Sequence, residues 1–471
     1  MRRKVNPAVE RAMSAVRAAM PRAEADPTRP ACHFRAPAQW MNDPNGPICH
    51  GGYYHMFYQH NPYGESWGPM HWGHARSRDL VRWEHLPVAL WPSTELGEEA
   101  CWSGCATING EGRPMAFYTS IGRQTDPREH AVQCGALSDD ELITWQKHPG
   151  NPLLTESLHG GLKVYDWRDP FVFRHDGATY MVLGGNLNRA QGGQGVVNLY
   201  RARDAVLTDW EYLGILFRHP SKDVTNIECP NFFRLGDRWV LVVSPHGPVH
   251  YFVGKFDTQR FRFEPESRGL IDQTFSFYAA NSMADPQGRR LLWGWVKDFT
   301  AGKGWNGCLS LPRVLNLSPD GKLAQAPAPE LEELRRNHRS EPRPRLSGGS
   351  HFVDACSGGT LEAIADVEVG PGSEVRLVLR RAWDDSEVAS VRIQEGRAEV
   401  AGTSAPLASR SDGTVLCHLF FDRSVLEVYV GDSLCFTRVM EVGALPLKLE
   451  LFAAARARVH SLDTWELQPI W

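Results

Sequence analysis

Three carboxylates in this chain open apolar strands and stand beside a proline. They are Asp43 in Asn42-Asp43-Pro44, Asp169 in Arg168-Asp169-Pro170 and Glu228 in Glu228-Cys229-Pro230. Cleavage of a sugar acetal would need such a set. Two carboxyl groups must flank the anomeric carbon, one to attack it or activate water, the other to protonate the leaving oxygen. In enzymes that retain configuration the two lie about 5–5.5 Å apart. Repulsion at that distance raises one pKa and divides the roles. A third carboxylate is suited to gripping sugar hydroxyls, its hold strengthening as positive charge builds on the ring. Asp43, Glu228 and Asp169 are the candidates. Arg168, always charged, would help keep Asp169 ionised.

Taken singly, each acid has a plainer reading. Asp-Pro and Asn-Gly steps are common turn formers, neighbouring Arg and Asp usually pair structurally, and Glu before an apolar strand is usually solvated. Their shared setting in a repeat reverses that weighting. Five segments follow one plan: a polar opening, an apolar strand, a glycine turn and a second strand rich in aromatic and β-branched residues. They begin near Asp43, Ser103, Asp169, Glu228 and Asn281, and the three acids are read as repeat-equivalent. The turns are His50-Gly51-Gly52, Glu111-Gly112, Asp176-Gly177, Gly236-Asp237 and Gln287-Gly288. A shorter echo runs through Ser77-Arg78-Asp79-Leu80…Trp83, Ser138-Asp139-Asp140…Trp145 and Arg203-Asp204…Trp210. Multi-strand units of roughly 40–60 residues are the signature of a β-propeller, whose blades bury their faces only against neighbours. Five units predict five blades, with the first strand of each lining the axis and the acids meeting there.

The bulk composition agrees. A chain of 471 residues exceeds one ordinary core, so two domains are expected. Sixteen tryptophans supply blade-to-blade packing and stacking platforms for sugar rings. A net charge of −4 argues against a nucleic-acid or anionic-membrane partner. No run approaches the roughly 18 apolar residues of a membrane span. Met1-Arg2-Arg3-Lys4 is basic, yet no apolar stretch follows it as a secretory signal requires. Instead Asn6-Pro7 starts a short helix, roughly Ala8 to Met20, with Val9, Met13 and Val16 on one stripe. Ten cysteines spread through a large chain read as reduced thiols in a cytoplasmic protein. Cys229 reads as a small apolar filler. His71-x-x-His74 near His60 lacks a regular ligand set and is not read as a metal site.

Beyond Pro312-Arg313 the character changes. Prolines 327, 329, 342 and 344 with Gly348-Gly349 surround a charged helical piece, Glu330–Arg336, which reads as a linker helix. Alternating strands come next at 374–379, 387–393, 415–420, 425–430 and 447–452, suggesting a β-sandwich with a structural role. The expected architecture is all-β. It comprises an N-terminal helical extension (1–30), a five-bladed β-propeller catalytic domain (31–325), a linker helix (326–349) and a β-sandwich (350–471).

At these residues the sequence resembles glycoside hydrolase family 32, the β-fructofuranosidase group of invertases, exo-inulinases and levanases. Trp40-Met41-Asn42-Asp43-Pro44-Asn45-Gly46, Trp167-Arg168-Asp169-Pro170 and Glu228-Cys229-Pro230 carry the resemblance. It continues through His71-Trp72-Gly73-His74-Ala75, Cys101-Trp102-Ser103-Gly104, Phe277-Tyr278-Ala279, Leu311-Pro312-Arg313 and Phe421-Asp422-Arg423-Ser424…Glu427. The resemblance implies that Asp43 is the nucleophile, Glu228 the acid and base, and Asp169 the transition-state stabiliser. It implies that Trp40, Met41, Asn42, Gln59, Trp67, Trp102, Ser103 and Arg168 line the fructose pocket. It also implies that no metal or organic cofactor is needed. The expected substrate is a small carbohydrate, sucrose or a fructo-oligosaccharide. A fructosyltransferase using the same intermediate is the alternative, and a non-catalytic carbohydrate-binding propeller a remoter one. A homo-oligomer is compatible with the sequence.

Overall fold

Five largely antiparallel sheets fill the first two-thirds of the chain, each begun by a strand carrying one of the repeat's polar openings. The structure is a computed structural model and describes residues 6–122, 130–344, 349–408, 413–454 and 456–471. The Met1–Lys4 lead and Gly348 lie outside the described residues. The first strands are Gln39–His50, Glu98–Ile108, Tyr165–His175, Glu228–Leu235 and Phe277–Ala284. They touch one another in that order, and the last touches the first. Trp305–Asn306, from the stretch after the fifth sheet's second strand, pairs in parallel with Gln39–Trp40 and ties the end of the series to its beginning. The chain is nearly all-β, and this arrangement is consistent with a propeller.

Every first strand carries the same irregularity: three steps along it face two steps on its neighbour. Met41 and Pro44 face His60 and Tyr58, while Cys101 and Gly104 face Ser120 and Tyr118. Arg168 and Phe171 face Gly184 and Val182; Glu228 and Asn231 face Ser244 and Val242; Tyr278 and Asn281 face Trp295 and Trp293. A bulge of this kind bends the strand and re-aims its side chains. It also corrects the expected equivalence of the three acids. Glu228 is the last paired residue before its bulge, Asp169 is the first bulged residue of its strand, and Asp43 the second. Asp169 and its counterparts Cys229 and Ala279 have φ of 64°, 47° and 49°. Nearby prolines make the acids look equivalent; the register separates them into successive positions of a bulge that recurs on three strands.

The shorter echo is one recurring turn. Leu80, Leu142 and Leu207 each adopt positive φ, and Trp83, Trp145 and Trp210 donate their indole N–H to the carbonyl of those leucines. Tryptophans and phenylalanines then fill the spaces between sheets. Phe232 stacks on Trp239 at 4.7 Å, with Phe173 edge-on to both. Such wedges hold adjacent sheets at fixed angles, which fixes where their first strands point.

The N-terminal helix runs from Pro7 to Ala25, further than the sequence suggested, with the Asn6 side chain accepting from the Ala8 amide at 2.8 Å. It continues past Pro21 because Ala23 is buried against Gly304 and Arg22 donates to the Gly302 carbonyl. The expected linker helix is corrected too. A single 3-10 turn spans Pro329–Leu334, burying Leu331 and Leu334, and Arg335–Pro342 is a strand paired with Ala457–Leu467. Two apolar residues three apart suffice for one such turn. The paired contacts of Arg335 with Glu362 at 2.7 and 2.9 Å then draw residues 335–342 into the sheet.

Two six-stranded sheets then face each other across a shared core of Leu361, Leu377, Val391, Leu419, Val428 and Leu449. Their junction with the five sheets is polar and fully buried. Asp422 accepts the backbone amides of Ala31, Cys32 and His33 at 2.7, 2.7 and 3.0 Å, and its Oδ2 lies 2.8 Å from His33 Nδ1. Glu427 meets His33 Nε2 at 3.2 Å, the Leu311 amide at 2.7 Å and Arg313 at 2.9 Å. Arg313 also reaches Asp272 at 2.9 Å.

Burial alone would lower the pKa of His33, but its contacts with Asp422 and Glu427 win and raise it from 6.5 to about 9. The stabilisation from its charge is therefore fully present below pH 6.5 and lost as pH rises through 9. The wild-type protein is expected to lose on the order of a few kcal/mol across that window. A His33→Gln variant, less stable at pH 6, should lose much less. Denaturant unfolding of both proteins at several pH values checks this, and parallel curves would refute it.

Candidate active site

The bulged segments converge on one cavity of about 290 Å³. Asn42, Asp43, Gln59, Trp67, Trp102, Ser103, Arg168, Asp169, Glu228, Tyr278 and Trp295 line it. All three acids therefore face the same space. Asp43 is held by two donors: Ser103 Oγ reaches its Oδ2 at 2.6 Å and Asn42 Nδ2 its Oδ1 at 2.9 Å. Burial raises the Asp43 pKa, these two hydrogen bonds pull it back, and the charge of Glu228 pushes it up again. Two donors aimed at the carboxylate fix its direction and favour its ionised form.

Asp169 is the most enclosed of the three. Its Oδ2 accepts the Cys229 amide at 2.8 Å, and its own amide donates to Thr119 Oγ1 at 2.9 Å. Burial pushes its pKa to about 7 against the pull of Arg168. Arg168 thus holds less of the Asp169 charge than the sequence suggested, because its guanidinium is shared. Arg168 Nη2 meets Asp166 at 2.5 Å, Nη1 lies 3.4 Å from Glu228 Oε1, and the guanidinium covers the face of Trp102 at 4.8 Å. Glu228 accepts from Tyr278 Oη at 2.7 Å, and His246 Nε2 stands 3.5 Å from its other oxygen. The set offers a carboxylate held by two donors, a second beside a tyrosine hydroxyl and a guanidinium, and a third deep in the floor.

Six of the eight expected binding residues, Asn42, Gln59, Trp67, Trp102, Ser103 and Arg168, line the cavity. Two do not. Met41 is fully buried, its sulfur accepting from the Ala36 amide at 3.0 Å, because the strand's alternation turns it into the core before the bulge. Trp40 acts one step back: its indole N–H donates to Asn42 Oδ1 at 2.7 Å, and its ring packs edge-on against Trp295. Trp40 orients Asn42, which in turn orients Asp43. Trp67 is 57 % exposed at the cavity mouth and edge-on to Trp102, a placement suited to a ring platform.

Sequence reasoning missed Tyr278 and Trp295. Tyr278 occupies the same pre-bulge position as Glu228 and Arg168, so a register alignment of the repeat would have found it. Cys229, read as filler, also presents its thiol to Asp43 and Asp169 at 3.7 and 3.6 Å. The histidines 60 and 71 bond to the Trp40 and Pro69 carbonyls, while His74 stacks on Phe57.

The family described as "Glycosyl hydrolases family 32 N-terminal domain" matches residues 33–327, well over half of the chain and all of the cavity's lining. The chain belongs to glycoside hydrolase family 32. Among family 32 relatives, a sucrose-6-phosphate hydrolase of Zymomonas mobilis is 35% identical over 442 residues, covering 86% of this chain and 84% of its own. A Bacillus subtilis levanase is 33% identical over 501 residues, covering 94% and 71%. The solved structure of a family 32 β-fructofuranosidase from Bombyx mori superimposes with a TM-score of 0.83 at 28% identity, covering 98% of each chain. The likeness spans the paired C-terminal sheets as well as the cavity-bearing part.

Proposed function

We propose that this family 32 glycosidase releases β-D-fructofuranosyl units from the non-reducing ends of sucrose or short fructans, with retention of configuration. One observation carries the reading: Asp43, Asp169 and Glu228 share a cavity, each at a different position relative to the bulge of its own strand. Asp43 attacks C2 of the fructosyl unit while Glu228 gives its proton to the departing oxygen. Glucose, or a shortened fructan, leaves as the alcohol, and an ester forms at Asp43. Glu228, now a carboxylate, takes a proton from water, whose oxygen attacks C2 and frees Asp43 and fructose. Asp169 grips two sugar hydroxyls and stabilises the developing positive charge. Ser103 and Asn42 keep Asp43 in line for attack, and Arg168 orients Glu228.

Sucrose itself, rather than a phosphorylated form, suits the cavity. Among the described residues Arg168 is the one cation that lines it, and it is already engaged by Asp166 and Glu228. In the same reading the five sheets are the five blades of a propeller over residues 31–325. The paired sheets of 350–471, extended by the strand Arg335–Pro342, form a structural β-sandwich. Among the described residues no helix is long and apolar enough to cross a membrane. The ten cysteines are unpaired and nine of them buried, which supports a cytoplasmic, reducing setting.

Methanol as a competing acceptor tests the stereochemistry. Two successive displacements at C2 should yield methyl β-D-fructofuranoside from sucrose, read by NMR before any rearrangement. Formation of the α anomer would mean a single displacement and remove Asp43 from the nucleophile's role.

A further inference from the structure

The five first strands, each of which lends at least one residue to the acid-lined cavity, run on to a second cavity of about 440 Å³. It is lined by residues further along the same strands: Ile48 and Cys49, Thr107 and Ile108, Phe173 and Arg174, Phe233 and Arg234, Met283 and Ala284. The two cavities therefore open at opposite ends of the ring. Between them lies a polar plug. Asn281 Nδ2 donates to the Pro44 and Gly104 carbonyls at 3.1 and 3.2 Å, and Ser282 Oγ donates to Asn231 at 2.8 Å.

Charge distinguishes this second cavity. Among the described residues its lining holds three arginines, Arg174, Arg234 and Arg290, and no aspartate or glutamate. The repeat explains how they come together. Arg174 and Arg234 stand at the same step of the third and fourth sheets, five residues beyond the first bulged position. The corresponding residues of the other sheets are Pro47, Thr107 and Ala284, all uncharged. In the fifth sheet the cross-strand partner of Ala284 is Arg290, which supplies the third cation.

None of the three is neutralised. Arg174 donates to the Ile108 carbonyl, Arg234 to the Gly236 carbonyl at 3.0 Å, and Arg290 lies over the ring of Phe233 at 4.3 Å. Among the described residues no carboxylate pairs with any of them. Arg289, the neighbour of Arg290, is by contrast paired with Asp285 and Glu330. Desolvation also lowers the Arg290 pKa to about 10, the mark of a cation withdrawn from water without a counter-charge.

We propose that this second cavity binds the phosphate group of a small anionic metabolite, such as a sugar phosphate. Guanidinium groups match phosphate oxygens in paired hydrogen bonds, and a cleft lined by one sign of charge concentrates the opposite ion. Thr107 adds a hydroxyl, while Phe171, Phe233 and Trp239 offer apolar walls to the rest of the ligand. The proposal does not depend on the catalytic reading.

Calorimetric titration of the full chain at low salt, with inorganic phosphate and with glucose 6-phosphate, tests it. One saturable site per chain is expected. In an Arg174→Gln/Arg234→Gln double variant affinity should fall on the order of tenfold or more, with sucrose hydrolysis unchanged. The two exposed arginines can be replaced without opening the core. Tighter binding of glucose 6-phosphate would identify a sugar phosphate as the ligand, and equal binding free phosphate. An Asp43→Ala protein should bind both as wild type does. Absence of saturable binding at millimolar ligand, affinity undiminished in the double variant, or displacement of the ligand by fructose would each overturn the proposal.

Discussion

Asp43→Ala is expected to lower kcat for sucrose by on the order of 10⁴-fold or more, leaving the fold intact. The variant has no atom able to form the ester at C2, and water placed in the gap would have to attack from the side that Glu228 does not serve. Its stability distinguishes this from damage. Asp43 sits in a site where burial raises its pKa, so its charge is held there at a cost and its removal does not open the core. Ser103 and Asn42 lose an acceptor but face a cavity that water can enter. The variant should therefore unfold close to the wild-type midpoint and still bind sucrose by calorimetry. A purified Asp43→Ala protein that hydrolysed sucrose near the normal rate would end the assignment of roles.

Glu228→Gln should be costly in a way that depends on the leaving group. With sucrose the departing alkoxide needs a proton, and loss of a positioned acid typically costs 10²–10⁴-fold. With an aryl β-fructofuranoside the phenolate can leave unaided, so formation of the ester should stay fast. The second step still lacks its base. The variant should then release one equivalent of phenol in a burst and stall as the ester. Azide, a nucleophile that needs no base, should restart turnover and yield a fructosyl azide. An equal loss on sucrose and aryl substrate, with no burst and no effect of azide, would refute an acid–base role. Tyr278, 2.7 Å from Glu228, is too poor an acid in its buried setting to replace it.

Much of the site was legible in the sequence because the chemistry restricts residue types. Few patterns place Asn42-Asp43-Pro44, Arg168-Asp169-Pro170 and Glu228-Cys229-Pro230 in recurring strands, and their three acids do line one cavity. The recurring turn of Leu80, Leu142 and Leu207 was visible for the same reason: its Asp and Trp serve fixed hydrogen bonds. Met41 shows the limit. It belongs to the motif, but its neighbours in sequence say nothing of the side it faces, and strand alternation sends it into the core. The linker misled for a related reason. Glu330–Arg336 has helical composition, yet Arg335 is claimed by Glu362, a partner distant in sequence.

Local sequence thus determined which residue types could do the chemistry, the all-β class, and the family to which the chain belongs, since each depends on short patterns of side chains. Tertiary structure decided which of those side chains share a space. The bulge register gave the three acids different positions on their strands, put Tyr278 beside Glu228, and gathered Arg174, Arg234 and Arg290 at the far mouth. The physical reason is that a bulge shifts the facing of every residue after it relative to its neighbours. Position along the chain alone does not record that shift.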